Sequence, residues 1–138
     1  MAAPTGAHVY RDAVLTIDEV EYANQVRVAR LVNETPTQTY RTLVPDGVVQ
    51  DVDSPVWSLE LTGLQINTST GLARALRAAG NGAIVDVVLA PHDATGEDQA
   101  AFQVVVKLPP FGGEQGAYGT MELVLPVVGQ PTFTPIAA

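Results

Sequence analysis

The residues best able to act as a base or a nucleophile are few: His8 and His92, with Ser54, Ser58 and Ser69. None of the serines lies in a G-x-S-x-G elbow, and no surrounding pattern marks a triad. Triads are set by geometry rather than by sequence order, so a small enzyme stays a rival reading. The residues themselves supply no poised acid–base pair, and they point to a protein that is not an enzyme. Asp46, Asp51 and Asp53 resemble scattered calcium ligands, but the run lacks the D-x-[DN]-x-[DN]-G-x₅-E order of a calcium loop and reads better as a solvated acidic segment. His92, Asp93, Glu97 and Asp98 could chelate a metal, yet a polar connection with one histidine is the commoner meaning of such a stretch. Gly112, Gly113 and Gly116 follow neither a Walker nor a G-x-G-x-x-G pattern, which leaves turn chemistry as their account. The expectation is no catalytic site, no metal and no cofactor.

Composition narrows the choice. The 138 residues suit one domain, and a hydrophobic fraction of 46% is enough for a core. Large aromatics are scarce, so that core must be built from Val, Leu, Ile and Ala, which favours strands. Cysteine is absent, which excludes a disulfide framework, a thiolate metal site and a cysteine nucleophile. No apolar run reaches the length of a membrane span, and residues 1–6 lack the blocks of a signal peptide, so assembly inside a cell is expected, away from any membrane. The net charge of −8 argues against wrapping nucleic acid, which takes clustered Lys and Arg. Arg27, Arg30 and Arg41 form the one local concentration of positive charge, for which cross-strand pairing with carboxylates is the plain explanation.

The elements that would position these residues are read from periodicity. Thr68, Ser69 and Thr70 offer N-cap hydroxyls, and Leu72, Ala73, Leu76 and Ala79 recur on one helical face. Gly80-Asn81-Gly82 ends the run, which predicts a helix over 71–79. A helix this short is marginal alone in water and must dock on a sheet. Around it, alternation predicts strands: Val14 to Glu21, Val26 to Val32, Gln38 to Leu43, Trp57 to Thr62, Ala83 to Leu89, Phe102 to Leu108 and Met121 to Val127. Trp57 falls on the apolar side of its strand and reads as core. Pro126 and Pro131 predict an edge or terminal position for the last strand.

Between the strands, Val44-Pro45-Asp46-Gly47-Val48 is a turn in which proline presets φ and Asp-Gly supplies a positive-φ position. Residues 44–55 read as a long, mobile, acidic loop, and such loops usually carry function. Residues 1–12 and 129–138 read as terminal arms flanking one domain, 13–128. The fold class is therefore mainly β: a β-sandwich or partly open barrel of antiparallel strands with one short flanking helix.

The chain resembles the major tail tube proteins of long-tailed phages, of the siphovirus type and especially those infecting actinobacteria. The residues that carry the likeness run from Ala29-Arg30-Leu31-Val32 and Gln38-Thr39-Tyr40-Arg41-Thr42-Leu43 through Trp57-Ser58-Leu59-Glu60-Leu61-Thr62-Gly63 and Gly71-Leu72-Ala73. They end with Pro110-Phe111-Gly112-Gly113-Glu114 and Leu125-Pro126-Val127-Val128-Gly129-Gln130-Pro131. Order and spacing, rather than any single motif, make the resemblance, which spans about Val14 to Thr134. It implies rings, typically hexameric, whose inner sheets join into one barrel. The rings stack into a tube around a tape measure protein, between tail-tip and tail terminator proteins, and the tube conducts double-stranded DNA without binding it specifically. It also implies a place in the virion, after assembly in the host bacterial cytoplasm.

That implication agrees with the physics of the residues. Open sheet edges are templates for pairing with another chain, and ring closure satisfies them. Residues 44–55, with Asp46, Asp51 and Asp53, and the two arms are the natural connectors between rings. An acidic bore would let DNA slide, and Glu60 and Glu122, on polar strand faces, are the candidate lumen residues. Two rivals stay open on the residues alone: a monomeric β-sandwich binding module, and a tail terminator of the same fold that caps rather than polymerises.

Overall fold

The computed structural model describes residues 9–137. Nine strands and one helix follow in the order β1 (Val14–Ile17), β2 (Val20–Glu21), β3 (Val26–Asn33), β4 (Thr37–Arg41), β5 (Val48–Val52), β6 (Trp57–Leu64), α1 (Leu72–Ala79), β7 (Ile84–Ala90), β8 (Asp98–Val105) and β9 (Thr120–Pro135), with a 3₁₀ turn at Ala23–Gln25 before β3. Seven strands form one antiparallel sheet in the order β2-β1-β7-β8-β9-β6-β3, and β4 and β5 form a separate two-stranded ribbon. The large sheet curls into a half-barrel with the single helix against it, so the expected class, mainly β and partly open, is the observed one.

The core sits inside the curl. Strand alternation places Leu15 and Ile17, Leu59 and Leu61, Val87 and Leu89, Phe102 and Val104, and Met121, Leu123 and Leu125 on the concave side, where all are buried. Leu72, Ala73 and Leu76 of α1 complete it, whereas Ala79 at the helix end is exposed. Leu72 and Leu76, at 0% and 2% exposure, contribute roughly 1.5–3 kcal/mol each by burial.

Several expectations change. Val14 to Glu21 is not one strand but a tight hairpin, because Asp18 and Glu19 both take positive φ (51° and 66°), as a two-residue type I′ connection requires. Residues 44–55 are not a loop throughout. Val48–Val52 pairs with Thr37–Arg41, and three valines in five residues favour that extended state. What remains is a tip in which Gly47 N–H donates to Val44 O at 2.9 Å, with Pro45 at the second turn position. Gly47 is not the positive-φ residue expected. It is glycine because a Cβ there would collide with the Thr42 side chain.

The last strand is interior, not an edge. β9 pairs with β6 from Leu64↔Thr120 to Ser58↔Pro126, then with β8 from Val104↔Val127 to Asp98↔Pro135. Pro126 is tolerated where the strand changes partner. Pro131 is tolerated in a bulge, where Ala101 and Gln103 face Thr132 and Val128 and Gly129 adopts φ 73°. Residues 129–135, expected as the start of an arm, thus continue a central strand. Residues 9–12 carry no regular element. The rest of the expected N-terminal arm, His8 included, lies outside the described residues.

The helix starts one residue late, at Leu72, and the hydroxyls of Thr68, Ser69 and Thr70 do not cap it. Gly71 is the N-cap, and the side chain of Gln25, distant in sequence, replaces a local cap. Its Oε1 accepts from Leu72 N–H at 2.8 Å, and its Nε2 donates to Thr70 O at 2.8 Å. At the other end Gly80 takes φ 89°, and its N–H closes on Leu76 O, as expected of the C-cap.

Candidate functional site

Among the described residues, no group of three or more His, Asp or Glu side chains gathers around one point as a metal site would require. Asp46 sits at the ribbon tip, whereas Asp51 and Asp53 lie at the far end of β5, where Asp53 Oδ2 accepts from Gln38 Nε2 at 3.2 Å. His92 and Asp12 come together, with Nδ1 and Oδ1 2.8 Å apart. Ser58 is buried at 4% exposure on β6, opposite Val32 and Pro126, and its hydroxyl has no hydrogen-bond partner among the described residues. No helix of the described residues is long and apolar enough to cross a membrane.

What the fold does present, among the described residues, is a polar sheet face, an open sheet edge and an exposed ribbon. The convex side of the β3–β6–β9 layer carries alternating residues whose register is explicit: Val32↔Ser58↔Pro126, Arg30↔Glu60↔Val124 and Val28↔Thr62↔Glu122. Glu60 and Glu122, picked from their strands as candidate lumen residues, therefore share one face and are diagonal neighbours. Arg30 is directly opposite Glu60, in the cross-strand position where unlike charges attract. A bulge between Val26 and Val28 resets β3, so that Val26, Ala29 and Leu31 face the core while Val28, Arg30 and Val32 face outward.

Two edges terminate the sheet. β2 is two residues long and offers little to pair with. β3 is eight residues long and, among the described residues, is bonded to β6 on one side only; its other side opens on a groove of about 900 Å³. Arg11, Arg27 and Arg30 line that groove, with Asp98 and the apolar side chains of Val28, Leu31 and Phe133. Trp57, expected in the core, is half-buried, its ring centroid 6.0 Å from that of Phe133.

The third surface is the ribbon. β4 and β5 are exposed at every residue, and Tyr40, Leu43 and Val52 expose 71%, 105% and 66% of their area. Two hydrogen bonds link the ribbon to the end of the β3–β6 pair: Glu34 N–H donates to Val56 O at 2.7 Å, and Asp53 N–H to Pro36 O at 2.8 Å.

No protein-family model and no curated protein matches the chain. Solved structures do. A chain of the virion of a native gene transfer agent particle superposes with a TM-score of 0.68 at 16% identity, over 93% of this chain and 99% of that one. A chain of the tail of an empty gene transfer agent particle, of C6 symmetry, superposes with a TM-score of 0.56 at 18% identity, over 80% and 82%. The chain shares their fold.

Sequence reasoning identified Asp46, Asp51 and Asp53 as a segment and Glu60 and Glu122 as outward residues. It missed the groove, because Arg11, Arg27 and Arg30 meet there only when β3 comes to rest near the segment before β1. It also missed the apolar character of the ribbon. The signal was available, since Leu43, Val44, Val48, Val49 and Val52 crowd a stretch read for its acids.

Proposed function

We propose that this chain is a structural subunit of a phage-like tail that self-assembles into stacked hexameric rings, forming a tube in the virion through which the genome is delivered. The observation that carries the reading is the match of fold, end to end, with a chain from a gene transfer agent virion. The C6 symmetry of the second neighbour's particle supports six subunits per ring. The open β3 edge and the exposed ribbon support association, since an uncovered edge strand and a bare apolar ribbon are both surfaces that bind another chain. In this reading the chain has no catalytic role, residues 46–53 at the ribbon connect successive rings, and the tube surrounds a tape measure protein, ending at tail-tip and tail terminator proteins. The convex face with Glu60 and Glu122 lines the bore, where carboxylates repel the DNA that slides past.

Electron microscopy of the concentrated purified protein tests this directly. The expected image is long tubes of uniform width with six-fold end views. Single unstacked rings would assign the chain to a terminator instead, and solitary particles at every concentration and salt would end the tail reading.

A further inference from the structure

Among the described residues, nothing covers the β4–β5 ribbon. Isolated two-stranded ribbons are marginally stable in water, and this one turns Tyr40, Leu43, Val49 and Val52 outward. The ribbon cannot itself lie along β3 of its own chain. The ribbon continues the β3–β6 pair beyond Asn33 and Trp57 through the Glu34–Val56 and Pro36–Asp53 hydrogen bonds. Folding back over Val26–Leu31 would break that continuation.

We propose that the groove beside β3 receives the β4–β5 ribbon of a second copy of this chain. The inference rests on the reading of the protein as a self-assembling tail subunit and assigns the connector its receptor. Charge complementarity selects the occupant. The chain as a whole carries −8, yet three of its seven basic residues, Arg11, Arg27 and Arg30, line the groove against one carboxylate, Asp98. The ribbon carries the reverse set, Asp46, Asp51 and Asp53 against Arg41. Length agrees too: a five-residue strand of the ribbon runs about 17 Å, and the groove follows six residues of β3, about 20 Å, at the usual rise per residue. The free backbone groups of β3 can pair with the incoming strand, while Val28, Leu31 and Phe133 take up its valines. Because the ribbon and the groove are different surfaces of one molecule, each copy both gives and receives, and the contact propagates head to tail.

The absence of cysteine makes the test clean. A protein carrying Val49→Cys is mixed under mild oxidation with one carrying Val28→Cys, each checked for its β signature by circular dichroism. The expected product is the mixed disulfide dimer, well in excess of either self-pair. Adding D51R/D53R to the ribbon partner, or R11E/R27E to the groove partner, is expected to weaken association about 100-fold or more, since like charges set against each other cost several kcal/mol. Combining the two reversed partners should restore the link. Tubes that form without a Val28–Val49 link, or a yield indifferent to the reversals, would overturn the groove while leaving the tail reading intact. A link without tubes or rings would keep the groove and sink the tail reading. Neither tubes nor link would sink both. A chain bearing Ala3→Cys with Val28→Cys that closes an internal disulfide in place of the mixed dimer would give the groove to the chain's own amino terminus, and would overturn the proposal.

Discussion

At the scale of the residue, Gln25 shows how one side chain joins parts of the fold that are far apart in sequence. It is 9% exposed, and both ends of its amide are used, on Thr70 O and Leu72 N–H. Gln25→Ala leaves two backbone groups at the helix start without partners, and an expected loss of about 2–3 kcal/mol follows, readable by urea unfolding. Gln25→Glu keeps the acceptor for Leu72 N–H but not the donor for Thr70 O, and should fall between the two. Tyr22 is a second case. Burial, helped by the charge of Asp18, raises its phenol above the ordinary value of 10.0. The folded state therefore holds that proton more tightly than the unfolded chain does. Its contribution is complete below the unfolded value and is lost as pH rises through the folded one. Unfolding midpoints measured between neutral pH and about pH 11 should fall at the alkaline end for the natural chain, and fall less steeply for Tyr22→Phe. An identical alkaline slope in both proteins would remove Tyr22 from the account.

At the scale of the element, β9 explains the shape. A strand that pairs with β6 over its first half and with β8 over its second bends the sheet into a half-barrel, and the bulge at Gly129 absorbs part of the turn. A side chain at φ 73° meets the steric penalty of the left-handed region, so Gly129→Ala should cost about 1–2 kcal/mol. Denaturant unfolding would check that cost, with no change expected in the helix signal. The ribbon behaves in the opposite way, since none of its side chains belongs to the core. Deleting residues 46–53 removes β5, yet it should shift the stability of the remaining fold by no more than about 0.5 kcal/mol, as for other surface changes. Micrographs of the same deletion should show no long tubes. Full-length tubes from it would mean that the ribbon is not a connector.

At the scale of the whole molecule, an acidic chain that keeps most of its basic residues off the proposed bore face is suited to letting a polyanion pass. E60Q with E122Q removes two carboxylates from that face without touching the concave core, and genome ejection from particles built with this variant should be slower. Unchanged ejection kinetics would take these residues out of the bore. Much of this molecule is legible in its sequence, because strand and helix periodicities are local. Leu59 and Leu61, or Met121, Leu123 and Leu125, declare a buried face by alternation alone, and Leu72, Ala73 and Leu76 do so at helical spacing. Glu60 and Glu122 could be set on outward faces for the same reason. What lay beyond the sequence depends on contacts between distant residues. Valines at 48–52 become a strand only because Thr37–Arg41 lies beside them, and Pro126 is harmless only where β9 changes neighbours. Gln25 caps a helix that begins 47 residues later. The groove exists because curling leaves one side of β3 open among the described residues, and periodicity along one strand carries no information about what will lie at its side.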